Sequence, residues 1–173
     1  IVITIYKYKQ SEKNGLFIPV LMYHNLDKSP ELKKITYTIK PDKFKKHMEI
    51  LKKKGFNPIT ITELNDYIYN KKELPKKPIL ITLDDGKTNN YEHAYPILDE
   101  LDMKGNIFVI VHTAEEHKND QYLDWKRLKE IYYSGVMDIQ SHTYDLHHKI
   151  NNTPVIFKSD DETEKEHEER ILN

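Results

Sequence analysis

Two clusters of side chains in this chain have the types and spacing to do chemistry. The first is the adjacent carboxylate pair Asp84-Asp85, followed by Gly86. The second is Ser141-His142-Thr143-Tyr144-Asp145-Leu146-His147-His148. Asp85 with His142 and His147 would make a two-histidine, one-carboxylate set with positions open for water. That donor set suits catalytic zinc, and also nickel, cobalt or iron. A divalent ion brings the pKa of a bound water from ~16 toward ~7, and Asp84 is placed to take the proton as general base. Polarisation of a carbonyl by the same ion makes amide or ester hydrolysis the natural reaction. Each cluster alone also has a plain reading, since Asp-Asp-Gly is good turn chemistry and the histidines could decorate a surface loop. Their shared placement after short apolar runs argues for a site.

His142 and His147 are five apart, a spacing that splays side chains on a helix, so the pair needs a loop that turns over after Ser141. His148 competes with His147 as ligand. His147 is preferred because Leu146 would seat inward beside it, while His148-Lys149 reads as solvent-facing. His24, at the end of another apolar run, is a supporting candidate. His47, His93, His112, His117 and His167 fall on expected helices or loops and read as packing or solvated residues.

The elements that must position these groups follow from periodicity. Pro78-Ile79-Leu80-Ile81-Thr82-Leu83 is a short apolar run bounded by Pro and Gly, read as a buried strand that delivers Asp84 and Asp85 at its carboxyl end. Leu16 to Tyr23 forms an earlier strand, with Pro19 setting its start near Val20. Phe44, Met48 and Leu51 recur at helical spacing from Asp42 to Lys54, and Gly55 stops that helix. Phe56 to Thr60 is a short strand or connector, and Thr62 is expected to cap a helix carrying Leu64, Tyr67 and Ile68. A helix capped by Asn89 or Asn90 carries Tyr91, Tyr95, Leu98 and Leu101, with Pro96 bending or shortening it. Strands at Asn106 to Val111 and Val136 to Ile139 flank a helix capped by Asp124. The alternation argues for parallel strands with crossover helices, opening three strand ends on one face.

At 173 residues the chain fits one domain with a sizeable core. A net charge of −1 leaves no electrostatic footprint for nucleic acid. The absence of cysteine excludes disulfides and thiolate metal sites. Ile1 to Tyr6 is too short to span a bilayer. With the polar stretch behind it, residues 1–15 read as a tether or the remnant of an anchor or signal region, an edge strand being the alternative. Residues 16–173 form the domain. Its acidic tail from Ser159 to Arg170 reads as a solvated helix.

Thr82-Leu83-Asp84-Asp85-Gly86, followed by Ser141-His142-Thr143 and His147, resembles the first two motifs of the polysaccharide deacetylases, carbohydrate esterase family four. Leu21-Met22-Tyr23-His24 and the wide His142-to-His147 spacing resemble the branch that includes poly-N-acetylglucosamine deacetylases. Leu83 stands where an aromatic is commoner. The resemblance covers roughly residues 16 to 150 and implies an α/β fold, a distorted (β/α) barrel, here expected to be incomplete at the carboxyl end. It implies removal of N-acetyl groups from an extracytoplasmic glycan by a secreted or membrane-anchored enzyme, with zinc the first choice of metal. Carried over, Asp84 is the base, Asp85, His142 and His147 hold the metal, and Thr143 braces the histidine loop. The family's later motifs, including a near-terminal Leu-x-His that supplies the general acid, have no counterpart here. The chain by itself is therefore expected to be inactive or slow. The alternatives are a glycan-binding or scaffold domain of the same fold and a hydrolase of another amide or ester.

Overall fold

The computed structural model describes residues 16–28, 37–116, 121–146, 149–150, 153–158 and 161–172. The expected tether at residues 1–15 lies outside them. The strands are β1 (Val20–Tyr23), β2 (Asn25–Leu26), β3 (Thr38–Ile39), β4 (Asn57–Ile59), β5 (Pro78–Leu83), β6 (Gly105–Val109), β7 (Met137–Ser141), β8 (Lys149–Ile150) and β9 (Thr153–Pro154). The helices are α1 (Pro41–Lys53), α2 (Ile61–Asn70), α3 (Tyr95–Glu100), α4 (Val111–Glu116), α5 (Trp125–Ser134) and α6 (Glu164–Leu172).

Every residue of β5 is buried, as expected for a central strand covered on both faces. Its parallel partners are β1, β4 and β6, and β6 carries β7. Leu80 is matched to both Val20 and Ile59, and Thr82 to both Met22 and Asn106. A strand has only two edges, so β4 and β6 share the edge opposite β1, one along each half of β5. Asn106 sits in the fork between them, fully buried. Its Nδ2 donates to the carbonyls of Ile59 (3.1 Å) and Ile81 (3.2 Å), and its Oδ1 accepts from Ile61 N at 2.7 Å. The amide side chain thus serves two carbonyls at the split ladder and the first N–H of α2, which has no partner within its own helix. The parallel sheet with its crossover helices is consistent with part of a (β/α) barrel.

The core gathers Ile79, Ile81 and Leu83 with Phe44 and Met48 of α1, Leu98 of α3, Ile107, and Leu128 and Ile131 of α5. Three local expectations shift. Thr60, not Thr62, caps α2, through a reciprocal bond pair with Glu63. Of the apolar residues Leu64, Tyr67 and Ile68 expected on α2, Tyr67 and Ile68 are exposed. The helix after Gly86 opens as a π turn over Asn90–Ala94, with Tyr95 N bonding Asn90 O. Pro96 has no N–H for the bond back to residue 92, and widening the preceding turn accommodates the lost bond. The tail forms α6 as expected, tied back by Arg170 to Glu162 and to the carbonyls of Val155 and Phe157. Among the described residues no helix is long and apolar enough to cross a membrane.

Candidate metal and catalytic site

Three strand ends meet at one face. Asp84 follows β5, its N–H bonded to Tyr23 O at 2.9 Å, and the carboxyl end of β1 therefore lies alongside. Asp85 and Gly86 are both left-handed, with φ of 71° and 70°. Asp tolerates that region through its short polar side chain. At Gly86 a Cβ would meet Val109 Cγ1 at 3.1 Å, so glycine lets the turn close against the end of β6. His142 N donates to Val109 O at 2.7 Å, which prolongs the ladder one step beyond β7 and brings the imidazole over the same end.

This geometry brings Asp85 and His142 together, with Oδ1 and Nε2 at 3.8 Å. Two donors on one tetrahedral zinc, at bond lengths of about 2.0–2.2 Å, lie about 3.3–3.6 Å apart. The observed separation therefore needs only a few tenths of an ångström to close on a shared ion. One imidazole and one carboxylate are also the donor types that zinc and its neighbours accept. His147 and its competitor His148 lie outside the described residues. Among the described residues no group of three His, Asp and Glu side chains is gathered as a metal site.

Thr143 is left-handed at φ 67°, a conformation that a β-branched residue holds only when its surroundings fix it. Its carbonyl accepts from Val111 N at 3.1 Å and its Oγ1 from Leu146 N at 3.2 Å. The loop that must turn the histidines over is thus fastened to the start of α4. Phe108 places a ring edge against His142, centroids 6.5 Å apart.

His24 is closer to the centre than its supporting status in the sequence suggested. Its Nε2 stands 4.0 Å from Asp84 Oδ2, and both side chains are largely buried. Tyr37 stacks on the imidazole at 4.8 Å, and Asn90 Nδ2 donates to the His24 carbonyl at 2.7 Å. Asn25 and Asn89 lock the adjoining loops, Asn89 Nδ2 donating to Asn25 Oδ1 at 2.5 Å while Leu26 N donates to Asn89 Oδ1. A cleft of about 650 Å³ opens here, bounded by His24, Tyr37, Asp85, Lys87, Thr88 and Glu92 among others. Sequence reasoning missed Tyr37 and Lys87. Only the Tyr-His-Asn end of the first strand hinted at this wall. Of the other histidines, His47 bonds the Tyr23 hydroxyl at 3.1 Å, and His112 and His167 pair with Glu116 and Glu162. His117 lies outside the described residues.

A parallel sheet that gathers Asp84, Asp85 and His142 at its carboxyl end points to a class of protein, and comparison with known proteins agrees. The polysaccharide deacetylase family model matches residues 71–172, and the chain belongs to that family. It is 34% identical over 134 residues to YxkH of Bacillus subtilis, covering 78% of this chain and 44% of that protein. It is 30% identical over 175 residues to the poly-β-1,6-N-acetyl-D-glucosamine N-deacetylase of Staphylococcus aureus, covering 91% of this chain and 58% of that one. Among solved structures, IcaB from Ammonifex degensii superposes with a TM-score of 0.70 at 30% identity, covering 84% of this chain and 62% of that one. The chain spans about half the length of the curated relatives it matches.

Proposed function

We propose that this chain carries the active site of a metal-dependent N-deacetylase acting on an extracytoplasmic N-acetylglucosamine polymer. The observation that carries the reading is the convergence of Asp84, Asp85, His142 and His24 at one end of the sheet. Similarity to a relative named as a poly-β-1,6-N-acetyl-D-glucosamine N-deacetylase supports the substrate class, and a substrate of that kind favours a secreted or anchored protein. Asp85 and His142, with His147 as the expected third ligand, would hold the ion, zinc first by donor type. Bound there, a divalent ion supplies a polarised carbonyl and a water acidic enough to attack near neutral pH.

The chain's own residues handle the protons. An Asp84 oxygen accepts the proton of the attacking water as the new C–O bond forms. His24 Nε2, on the same space, is placed to donate a proton to the leaving nitrogen as the C–N bond breaks, giving acetate and a free amine. Tyr37 stacks on the imidazole face and Asn90 anchors the His24 backbone carbonyl, while Nε2 lies on the Asp84 side. Oriented donors of this kind contribute typically 10²–10⁴-fold.

The test is acetate release from β-1,6-linked N-acetylglucosamine oligomers by the full-length protein, before and after chelation. Release should disappear with chelator, return with zinc, and be lost in Asp85→Ala and His142→Ala. Release that persists unchanged in those variants would sink the proposal. Binding of the oligomer with no acetate at all would instead identify a glycan-binding domain.

A further inference from the structure

The two oxygens of Asp85 face different ways. Oδ1 looks toward His142, while Oδ2 stands 3.9 Å from Lys87 Nζ. That ammonium is held in place. It sits 3.8 Å from the centroid of the Tyr122 ring, and the Lys87 and Tyr122 backbones pair as an antiparallel bridge. Thr88 N to Gln121 O and Leu123 N to Gly86 O, both 2.9 Å, flank the bridge. The lysine side chain is mostly buried, on the wall of the cleft.

We infer that Lys87 is an internal counter-cation for Asp85 that sets how tightly the site holds its divalent ion. The inference rests on the metal reading above. Two effects of the lysine oppose each other. A partner hydrogen-bonded to a ligand fixes its orientation, and losing such a partner typically weakens metal binding 10–100-fold. At 3.9 Å, however, no hydrogen bond is made, so this orienting contribution is small. What remains is charge. A unit charge and a dication kept one carboxylate apart repel by about tenfold in affinity or more, even at the dielectric of water. Repulsion therefore wins, and the ammonium loosens the ion while neutralising Asp85 when no ion is bound.

Lys87→Met keeps the stem and offers sulfur to the Tyr122 ring, and Lys87→Arg keeps the charge. In the full-length protein, zinc affinity is read by competition with a chromophoric chelator, and melting temperature is followed with and without EDTA. Lys87→Met should bind zinc at least about tenfold more tightly than wild type, and Lys87→Arg within about threefold of it. Lys87→Met should also melt lower than wild type in EDTA and gain more from zinc. Should Lys87→Met not fold, Lys87→Gln is read by the same titration. Equal or weaker zinc binding in the neutral variant overturns the inference while leaving the metal reading intact. Failure of wild type to take up zinc overturns both, with His142→Ala as the reference for non-specific uptake.

Discussion

Replacing Asn106 with leucine, similar in size and without polar atoms, tests how the sheet is assembled. In the native fold the side chain serves three backbone groups at once: the carbonyls of Ile59 and Ile81 and the N–H of Ile61. The residue is fully buried, so water does not replace those bonds. A buried donor or acceptor stripped of its partner costs about 1–3 kcal/mol. Carbonyls can retain a second partner, so the three losses together should come to about 3–5 kcal/mol rather than their maximum. That is a large share of the ~5–15 kcal/mol that holds a typical domain together. In a chain of this size it should lower the melting temperature by at least about 6 °C. Urea unfolding followed by circular dichroism on wild type and Asn106→Leu gives the difference directly. A loss below about 1 kcal/mol would refute the fork, because it would mean that β4 and β6 satisfy their own edges without the amide.

Two further outcomes follow from single side chains. His24→Gln preserves a polar tip beside Asp84 but cannot carry a transferable proton, so acetate release should fall about 10²-fold or more while zinc affinity stays near wild type. A change under about threefold would remove His24 from the proton path. His47 packs against Tyr23, and burial, reinforced by the Lys43 charge, holds its pKa below the usual histidine value. Burial likewise pushes the Tyr23 hydroxyl up to about 12. The unfolded chain therefore binds a proton to residue 47 at a higher pH than the folded one does. Its contribution to stability is full above pH ~6.5 and is lost as pH falls through the depressed folded value. Melting curves between pH 7.5 and 5 should show a smaller decline for His47→Gln than for wild type, and parallel declines would count against the shift.

Much of this arrangement was legible in the residue pattern because it depends on local signals. The apolar run into Asp84-Asp85-Gly86, the helical spacing of Phe44, Met48 and Leu51, and the Asp124 cap each carry their structure within a few residues. The Asp124 side chain accepts from Arg127 N at 2.7 Å, as a capping residue should. What escaped the pattern depends on contacts between distant segments. Thr60 outcompetes Thr62 as a cap because Glu63 is three residues on, and the N–H of Thr62 is taken instead by Asp138, on β7. The importance of His24 was obscured because it is 60 positions from Asp84 in the chain and adjacent only through the β1–β5 register. Lys87 carried no signal of its own in the sequence, and the antiparallel bridge to Tyr122 is what accompanies its place beside Asp85.

A crystal of the full-length protein soaked in zinc, measured on both sides of the zinc absorption edge, addresses the metal centre most directly. An anomalous peak within about 2.2 Å of both Asp85 Oδ1 and His142 Nε2, completed by the His147 imidazole, is the expected result. A peak elsewhere, or none at full zinc occupancy in solution, would contradict the site as drawn.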